Sequence, residues 1–279
     1  MQLKVKMSSN GHQDTAEFQN FLDTSQYTNK GVTRYEKIFG KYYVSTGGEE
    51  TTAKFCAEMN LKPGQKVLDI GCGTGGSAFY MAQHYGVDVF GVDLSTNMIE
   101  LAKNYWKTMN AAIKHRVRFL VEDATTMEYP ENFYDVVYSR DTILHIQDKL
   151  QLFQLFEKTL KPGGILVITD YCCGEGTHSQ DFKNYVQQRG YNLLTVREYG
   201  KTIKAAGLEE VQAIDNSKYF LEILDKELLA FTKIKDEVVA EYSLDDYTYI
   251  CDGWNDKLER VGKRGEQAWG YFKAKKMFA

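Results

Sequence analysis

Segments that favour β-strands alternate with segments that favour helices through the middle of this chain, and no other feature constrains its fold as much. The strand-like runs begin after Lys66 and read VLDI, VDVFGVD, RVRFLVED, YDVVYSR and ILVITDY. Strands that alternate with helices of ~10–15 residues form βαβ units, in which parallel strands are joined by right-handed crossovers. The sequence therefore predicts a doubly wound, Rossmann-like α/β sheet.

The segments outside this pattern predict additions to one domain. We expect the polar, aperiodic residues 1–14 to be a disordered tip and residues 15–279 to form a single domain. From Phe18 to Phe39, apolar residues recur at helical spacing with a break around Tyr27 to Gly31, which predicts a helical lid. Helical insertions should follow the fifth strand. The segments expected there are helices over Gln180 to Arg189 and Val196 to Ala206, a strand near Leu208 to Ile214, long helices, and an edge strand at WGYFKAKK.

Charge and cysteine content exclude several classes of partner. A formal net charge of −4 and a pI near 5.8 argue against nucleic acid as a partner. No window approaches the ~20 consecutive apolar residues of a membrane span, so we expect no membrane partner. The five cysteines are an odd set without CxxC spacing, which predicts reduced thiols in a cytoplasmic protein, and we expect a monomer.

A glycine-rich turn follows the first strand, in the run VLDIGCGTGG from Val67 to Gly76. Glycines at such a turn permit positive φ angles and close approach of a ligand to the backbone. Gly71, Gly73 and Gly76 also satisfy G-x-G-x-x-G. Asp93 follows at the ~20-residue spacing of the ribose-binding acid in a dinucleotide site. A nicotinamide-dependent dehydrogenase is therefore one possible interpretation.

Asp69, two residues before the first glycine, favours a different ligand, because its carboxylate would repel a pyrophosphate. S-adenosylmethionine has no phosphate, and its methionine half carries an ammonium group. The run resembles the first motif of class I S-adenosylmethionine-dependent methyltransferases, which have a mostly parallel seven-stranded sheet. This resemblance assigns Asp93 to the ribose, Leu94 to the adenine face, and Asp123 with Ala124 to the adenine amine.

A second motif, YSRDTILH from Tyr138 to His145, follows the fourth strand. If a helix begins there, Asp141 and His145 are i and i+4 and face the same way. His145 is a candidate general base, since an ordinary histidine pKa of ~6.5 suits deprotonation of an amine near neutrality. The two side chains could instead be metal ligands, but no third ligand is evident, and we expect no metal.

Motifs along most of the chain resemble the phosphoethanolamine N-methyltransferases, a family that methylates phosphobases to phosphocholine. The motifs that carry this resemblance are FLD at Phe21, QYT at Gln26, RYE at Arg34, VSTGG at Val44, DYC at Asp170, QRGY at Gln188, DGW at Asp252 with Lys257, and WGYF at Trp269. They are far more specific than the glycine turn.

The resemblance implies a role for each matching residue. Tyr27 and His145 would be the catalytic pair, and Asp141 would line the same pocket. The residues that it assigns to the substrate phosphate are Tyr35, Tyr171, Arg189, Tyr191 and Lys257. The residues that it places near the cofactor are Val44, Ser45, Ser139 and Arg140.

The resemblance is strongest to the C-terminal half of the two-half plant enzymes and its nematode counterpart. It implies that phosphomonomethylethanolamine and phosphodimethylethanolamine are the substrates, with S-adenosylhomocysteine as the second product. All three methylation steps are an alternative, as is a methyltransferase for another small acceptor such as glycine, sarcosine or a quinone precursor. A non-catalytic, cofactor-binding regulator is a further alternative, although Tyr27 and His145 argue against it.

Overall fold

A seven-stranded sheet organises the computed structural model, which describes residues 15–278. Its strands are β1 (Lys66–Ile70), β2 (Asp88–Asp93), β3 (Val117–Val121), β4 (Tyr134–Arg140), β5 (Leu160–Cys173), β6 (Glu209–Asp215) and β7 (Gln267–Lys275). Their order is β3-β2-β1-β4-β5-β7-β6. The first five strands are parallel, and β7 is antiparallel to both β5 and β6. The predicted doubly wound, mostly parallel sheet is confirmed, and the predicted tip at 1–14 lies outside the described residues.

The position of the last strand differs from the sequence prediction. WGYFKAKK was interpreted as an edge strand, but β7 lies between β5 and β6, and β3 and β6 form the two edges. The residues from Gln267 to Phe272 are all buried, on both faces of the sheet. A strand buried on both faces needs neighbours on both sides for its backbone groups, which an edge position does not provide.

Helices cover the sheet and complete two hydrophobic cores. The helices are α1 (Thr15–Phe21), α2 (Asn29–Phe39), α3 (Gly48–Met59), α4 (Gly76–Tyr85), α5 (Thr96–Thr108), α6 (Ala111–Arg116), α7 (Lys149–Thr159), α8 (Gln180–Arg189), α9 (Val196–Ala205), α10 (Ser217–Lys233), α11 (Lys235–Glu241) and α12 (Leu244–Leu258). Neighbouring residues of β1 point to opposite faces, so Val67 packs in one core and Leu68 in the other. No described helix is long and apolar enough to cross a membrane.

The lid has the predicted break between two helices. A π-helical segment, Leu22–Gln26, continues α1, and the chain turns at Tyr27 and Thr28. Thr28 caps α2 because its side-chain oxygen accepts a hydrogen bond of 3.1 Å from Gly31 N. The last helices, α10 to α12, follow β6 and precede β7 along the chain, and α10 packs against α2. These helices position the part of the site that the sheet does not provide.

Candidate active site

A cavity of about 710 Å³ lies at the carboxyl ends of β1, β2 and β4, where doubly wound sheets bind their ligands. Its lining includes most residues that the resemblance assigned to a cofactor: Val44, Ser45, Asp69, Gly71, Gly73, Asp93, Leu94, Asp123, Ala124 and Arg140. Ser139 does not line it. That side chain is fully buried, and its Oγ donates a hydrogen bond of 2.8 Å to Ile70 O, joining β4 to β1.

Position 71 of the glycine turn, which lines the cavity, accommodates no side chain. Gly71 has a φ of 70°, and a Cβ there would lie 2.1 Å from Thr142 Oγ1. Asp93 holds the turn in place, since its Oδ2 accepts a hydrogen bond of 2.9 Å from Gly73 N. Burial raises the pKa of Asp93 to about 6, and its hydrogen bonds to backbone N–H groups oppose this rise. The turn is therefore fixed by the same acid that faces the cavity.

Asp69 brings an uncompensated carboxylate to this cavity. Its side chain is only 2% exposed, and Oδ2 has no hydrogen-bond partner among residues 15–278. Burial, followed by the negative charge of Asp93, raises the pKa of Asp69 to about 7, while the charge of Arg140 opposes the rise. A buried acceptor without a partner is costly, so Asp69 suits a cationic ligand group.

The Arg140 side chain holds the segment between α2 and α3 in place. Its guanidinium donates hydrogen bonds to Thr46 O at 2.5 Å, Thr51 Oγ1 at 2.7 Å and Thr52 Oγ1 at 2.9 Å. These contacts hold the segment that carries Val44 and Ser45 against the cavity. Most of the donor capacity of Arg140 is thus used inside the protein.

The N-terminal helical segment forms part of the cavity lining. The Asp23 carboxylate accepts hydrogen bonds of 2.6 Å from Ser95 Oγ and 3.3 Å from Thr96 N, at the first turn of α5. This contact brings Tyr27 into the cavity lining. Gln26 Nε2 donates to the Tyr27 hydroxyl at 3.1 Å and lies 3.5 Å from His145 Nε2. Tyr27 and His145, the pair singled out by sequence, are therefore joined through Gln26.

The backbone around Asp141 and His145 differs from the predicted helix. Asp141 has a φ of 51°, and His145 ends a short 3₁₀ turn, Ile143–His145. Asp141 is held in this conformation because its Oδ1 accepts from Trp269 Nε1 at 2.8 Å and its Oδ2 accepts from Thr46 N at 3.1 Å. Both side chains still line the cavity. Their shared direction thus arises from long-range contacts and not from helical spacing.

His145 is less basic than the sequence interpretation assumed. Its side chain is 8% exposed, and burial, followed by the positive charge of Lys149, lowers the pKa of His145 to about 3. Its Nδ1 makes no well-formed hydrogen bond within the described part of the chain, although the backbone of Gly190 is close. The imidazole is therefore neutral at pH 7 and free to accept a proton.

The five residues assigned to the substrate phosphate lie outside the cavity lining, in a neighbouring group that we call the cation–tyrosine cluster. It comprises Tyr35, Tyr171, Tyr185, Arg189, Tyr191, Tyr249, Trp254, Lys257 and Arg260. Lys257 Nζ lies 4.1 Å from the centroid of the Trp254 ring and 5.7 Å from that of Tyr171. The Tyr191 ring joins the cluster to His145, with centroids 5.1 Å apart.

Positive charge in this cluster is not neutralised. Among residues 15–278, Arg189, Lys257 and Arg260 form no ion pair. Burial lowers the pKa of Lys257, an effect that the Glu227 carboxylate opposes and the charge of Arg189 reinforces. Arg189 and Lys257 are half-buried cations without a carboxylate partner among these residues, an arrangement that suits an anionic ligand.

Sequence reasoning missed several members of this arrangement. Tyr185 lies four residues before Arg189 on α8, so helical spacing would have identified it. Gln26 directly precedes Tyr27 in the quoted motif. Arg260 and Tyr249 carry no local signal, because only the packing of α12 and of the π-helical segment that follows it, Glu259–Lys263, brings them to the cluster. Among the described residues, no group of three or more His, Cys, Asp or Glu side chains could hold a metal ion.

Comparisons with known proteins identify the family of the chain. The family model described as a methyltransferase domain matches residues 61–226. Phosphoethanolamine N-methyltransferase of Plasmodium falciparum is 40% identical over 92% of this chain and 95% of its own length. Phosphoethanolamine N-methyltransferase 1 of Zea mays is 51% identical over 98% of this chain and 52% of its own length. The chain therefore spans about half the length of the plant relatives that it matches.

A solved structure gives the same result. Haemonchus contortus phosphoethanolamine N-methyltransferase 2, in complex with phosphomonomethylethanolamine and S-adenosylhomocysteine, has a TM-score of 0.90 and 37% identity over 94% of this chain and 60% of that one. Fold and cavity thus define a class I methyltransferase domain. Within that class, the chain belongs to the phosphoethanolamine N-methyltransferase family.

Proposed function

We propose that this chain transfers a methyl group from S-adenosylmethionine to the nitrogen of a phosphobase, an amino alcohol esterified with phosphate. The observation that carries the proposal is the position of His145, which lines the strand-end cavity and also contacts the cation–tyrosine cluster through Tyr191. The two ligands of the Haemonchus contortus relative support it. A nicotinamide dehydrogenase would require a pyrophosphate close to the buried Asp69.

The cofactor fits the strand-end cavity through charge. The unpartnered Asp69 Oδ2 would receive the cofactor ammonium, and Asp93 the ribose hydroxyls. Leu94, Asp123 and Ala124 would contact the adenine, and Val44 and Ser45 would pack beside the cofactor. Ser139 and Arg140 would act through the backbone segments that they hold. When bound, the cofactor supplies an electrophilic methyl group on a sulfonium.

The phosphate would bind in the cation–tyrosine cluster. A phosphomonoester carries roughly −1.5 to −2 charge near neutrality. Arg189 and Lys257 would supply the positive charge, which has no carboxylate partner before the ligand binds. The hydroxyl groups that would donate hydrogen bonds to the phosphate oxygens are those of Tyr35, Tyr171 and Tyr191.

The amine would then lie at His145, Tyr27 and Asp141. An ammonium group cannot attack until it loses a proton, and neutral His145 can accept one at Nε2. Its low pKa makes this transfer unfavourable in the absence of substrate. A bound phosphate dianion near Tyr191 raises the pKa of His145, so we expect the substrate itself to activate the base. Closure of Tyr27 over the amine, beside the Asp141 carboxylate that Trp269 and Thr46 hold in place, would align nitrogen, methyl and sulfur.

We propose that the chain converts the monomethyl and dimethyl phosphobases to phosphocholine. Aromatic rings and the Asp141 carboxylate suit a methylated ammonium better than donors to each N–H would. The assay is kcat/KM for phosphoethanolamine and for its monomethyl and dimethyl derivatives, measured in turn. Efficient turnover of phosphoethanolamine, comparable to that of the monomethyl substrate, would contradict this assignment and favour all three steps.

We further propose that residues 15–279 act as one domain, as a monomer, and in the cytoplasm. The single sheet supports the first statement. The five cysteines are free thiols, which supports a reducing compartment.

A further inference from the structure

Lys149, the first residue of α7, is a buried cation that the proposed reaction does not use. Its side chain is 4% exposed, and Nζ donates hydrogen bonds to Ile143 O at 2.9 Å, Ile146 O at 2.6 Å and Asn192 O at 2.7 Å. An ammonium group has three donors, so its capacity is filled by backbone carbonyls alone. A lysine is rarely buried unless such contacts require it.

The three carbonyls belong to two separate segments. Ile143 begins the 3₁₀ turn that carries His145 and Ile146 follows it, whereas Asn192 follows the segment that carries Arg189 and Tyr191. Asn192 adds two bonds between these segments: its N donates to Leu144 O at 2.6 Å, and its Nδ2 donates to His145 O at 3.2 Å. Lys149 and Asn192 together therefore form a clamp between the two segments.

These two segments carry opposite ends of the proposed site. One holds the proton acceptor at the amine, and the other holds two of the phosphate ligands. The rings of His145 and Tyr191 are in direct contact across the clamp. The substrate must place its amine at one end and its phosphate at the other. The hydrogen bonds of the clamp fix the distance between these two ends, so they limit the length of substrate that can bind productively.

We propose that Lys149 and Asn192 are positioning residues that set the distance between the amine site and the phosphate site, and so select the length of the carbon linker in the substrate. This inference rests on the proposed function and adds a specificity for linker length, which the proposed function does not include. Misplacement by ~1 Å can lower a rate by ~100-fold, so a clamp of this kind can discriminate a two-carbon from a three-carbon linker. Lys149 also lowers the pKa of His145 through its charge.

The test compares phosphomonomethylethanolamine with its three-carbon homologue, 3-(methylamino)propyl phosphate. We would measure kcat/KM on both substrates for the wild type, Lys149→Met, Asn192→Ala and Lys158→Met. Lys158 lies on the same helix but is exposed and pairs with Glu131, which makes Lys158→Met the matched control. We expect the wild type and the control to prefer the two-carbon substrate. In Lys149→Met the ratio of kcat/KM for the two-carbon substrate to that for the three-carbon substrate should fall at least about tenfold. In Asn192→Ala, which loses only one hydrogen bond, the ratio should fall by a smaller factor.

A purely structural role predicts a different result. Both variants would then lose activity on the two substrates by the same factor and keep the wild-type preference, which overturns the inference. Thermal unfolding checks that each variant folds, and Asn192→Ala decides the question if Lys149→Met does not fold. A wild type that turns over both substrates equally also overturns the inference. A wild type that turns over neither refutes the proposed function itself.

Discussion

Replacing Asp69 with asparagine should stabilise the protein and weaken its binding of the cofactor. The native carboxyl group has a pKa of about 7, raised by burial and by Asp93, whereas in the unfolded chain it titrates near ~3.9. Between these values the native state binds more protons, so stability is lost as pH rises from about 4 to 7. At ~1.4 kcal/mol per pH unit the loss is on the order of 4 kcal/mol, of which about 2 kcal/mol falls between pH 5 and pH 7.

The assay is urea unfolding of the wild type and Asp69→Asn at pH 5 and pH 8, with calorimetric titration of S-adenosylmethionine at pH 8. The variant should gain stability over the wild type at pH 8 and much less at pH 5. Its affinity for the cofactor should fall at least about tenfold, because a charge-assisted hydrogen bond contributes ~1.5–3 kcal/mol. Asp88→Asn, which changes an exposed carboxyl at the amino end of the neighbouring strand β2, is the control. A variant that is no more stable at pH 8, or that binds the cofactor as tightly as the wild type, would refute this reasoning.

Two further predictions concern the acceptor side. His145→Ala should lower kcat by at least ~100-fold and leave the Kd for S-adenosylmethionine unchanged within about twofold, as stopped-flow kinetics and calorimetry can measure; full turnover would remove His145 from the mechanism. Arg189→Ala or Lys257→Ala should raise the KM for phosphobase at least about tenfold without changing the Kd for the cofactor, because each variant lacks one of the two cations proposed to bind the phosphate. Arg197→Ala, which changes an exposed arginine that pairs with Glu175, is the control for these two variants. Equal effects on the phosphobase KM and the cofactor Kd would contradict the assignment.

Local sequence patterns predicted the parallel part of the sheet, because the short apolar runs that form β1 to β5 are mostly separated by helical segments. The same patterns failed for β7. A run such as WGYF shows that a strand is buried on both faces, but its neighbours β5 and β6 are distant in sequence. Strand order at that end depends on the pairing of Ile168 with Phe272, which no local pattern encodes.

The site shows the same division. The strand-end acids could be predicted, since parallel strands end at one edge of the sheet. The conformation of Asp141 could not, because Trp269 and Thr46 hold its carboxylate from distant parts of the chain. The pKa of His145 was also out of reach, since burial and the charge of Lys149 determine it. Sequence spacing thus identified the site residues, whereas their conformations and pKa values depend on how distant parts of the chain pack around them.

Transfer of a labelled methyl group tests the central claim most directly. The purified chain would be incubated with S-adenosylmethionine that carries ¹³C in its methyl group, together with phosphomonomethylethanolamine, and the products followed by NMR. The account predicts that the label appears on nitrogen, first in phosphodimethylethanolamine and then in phosphocholine, with one S-adenosylhomocysteine formed per methyl group. Label that remains on sulfur, or that reaches nitrogen as fast in His145→Ala as in the wild type, would contradict it.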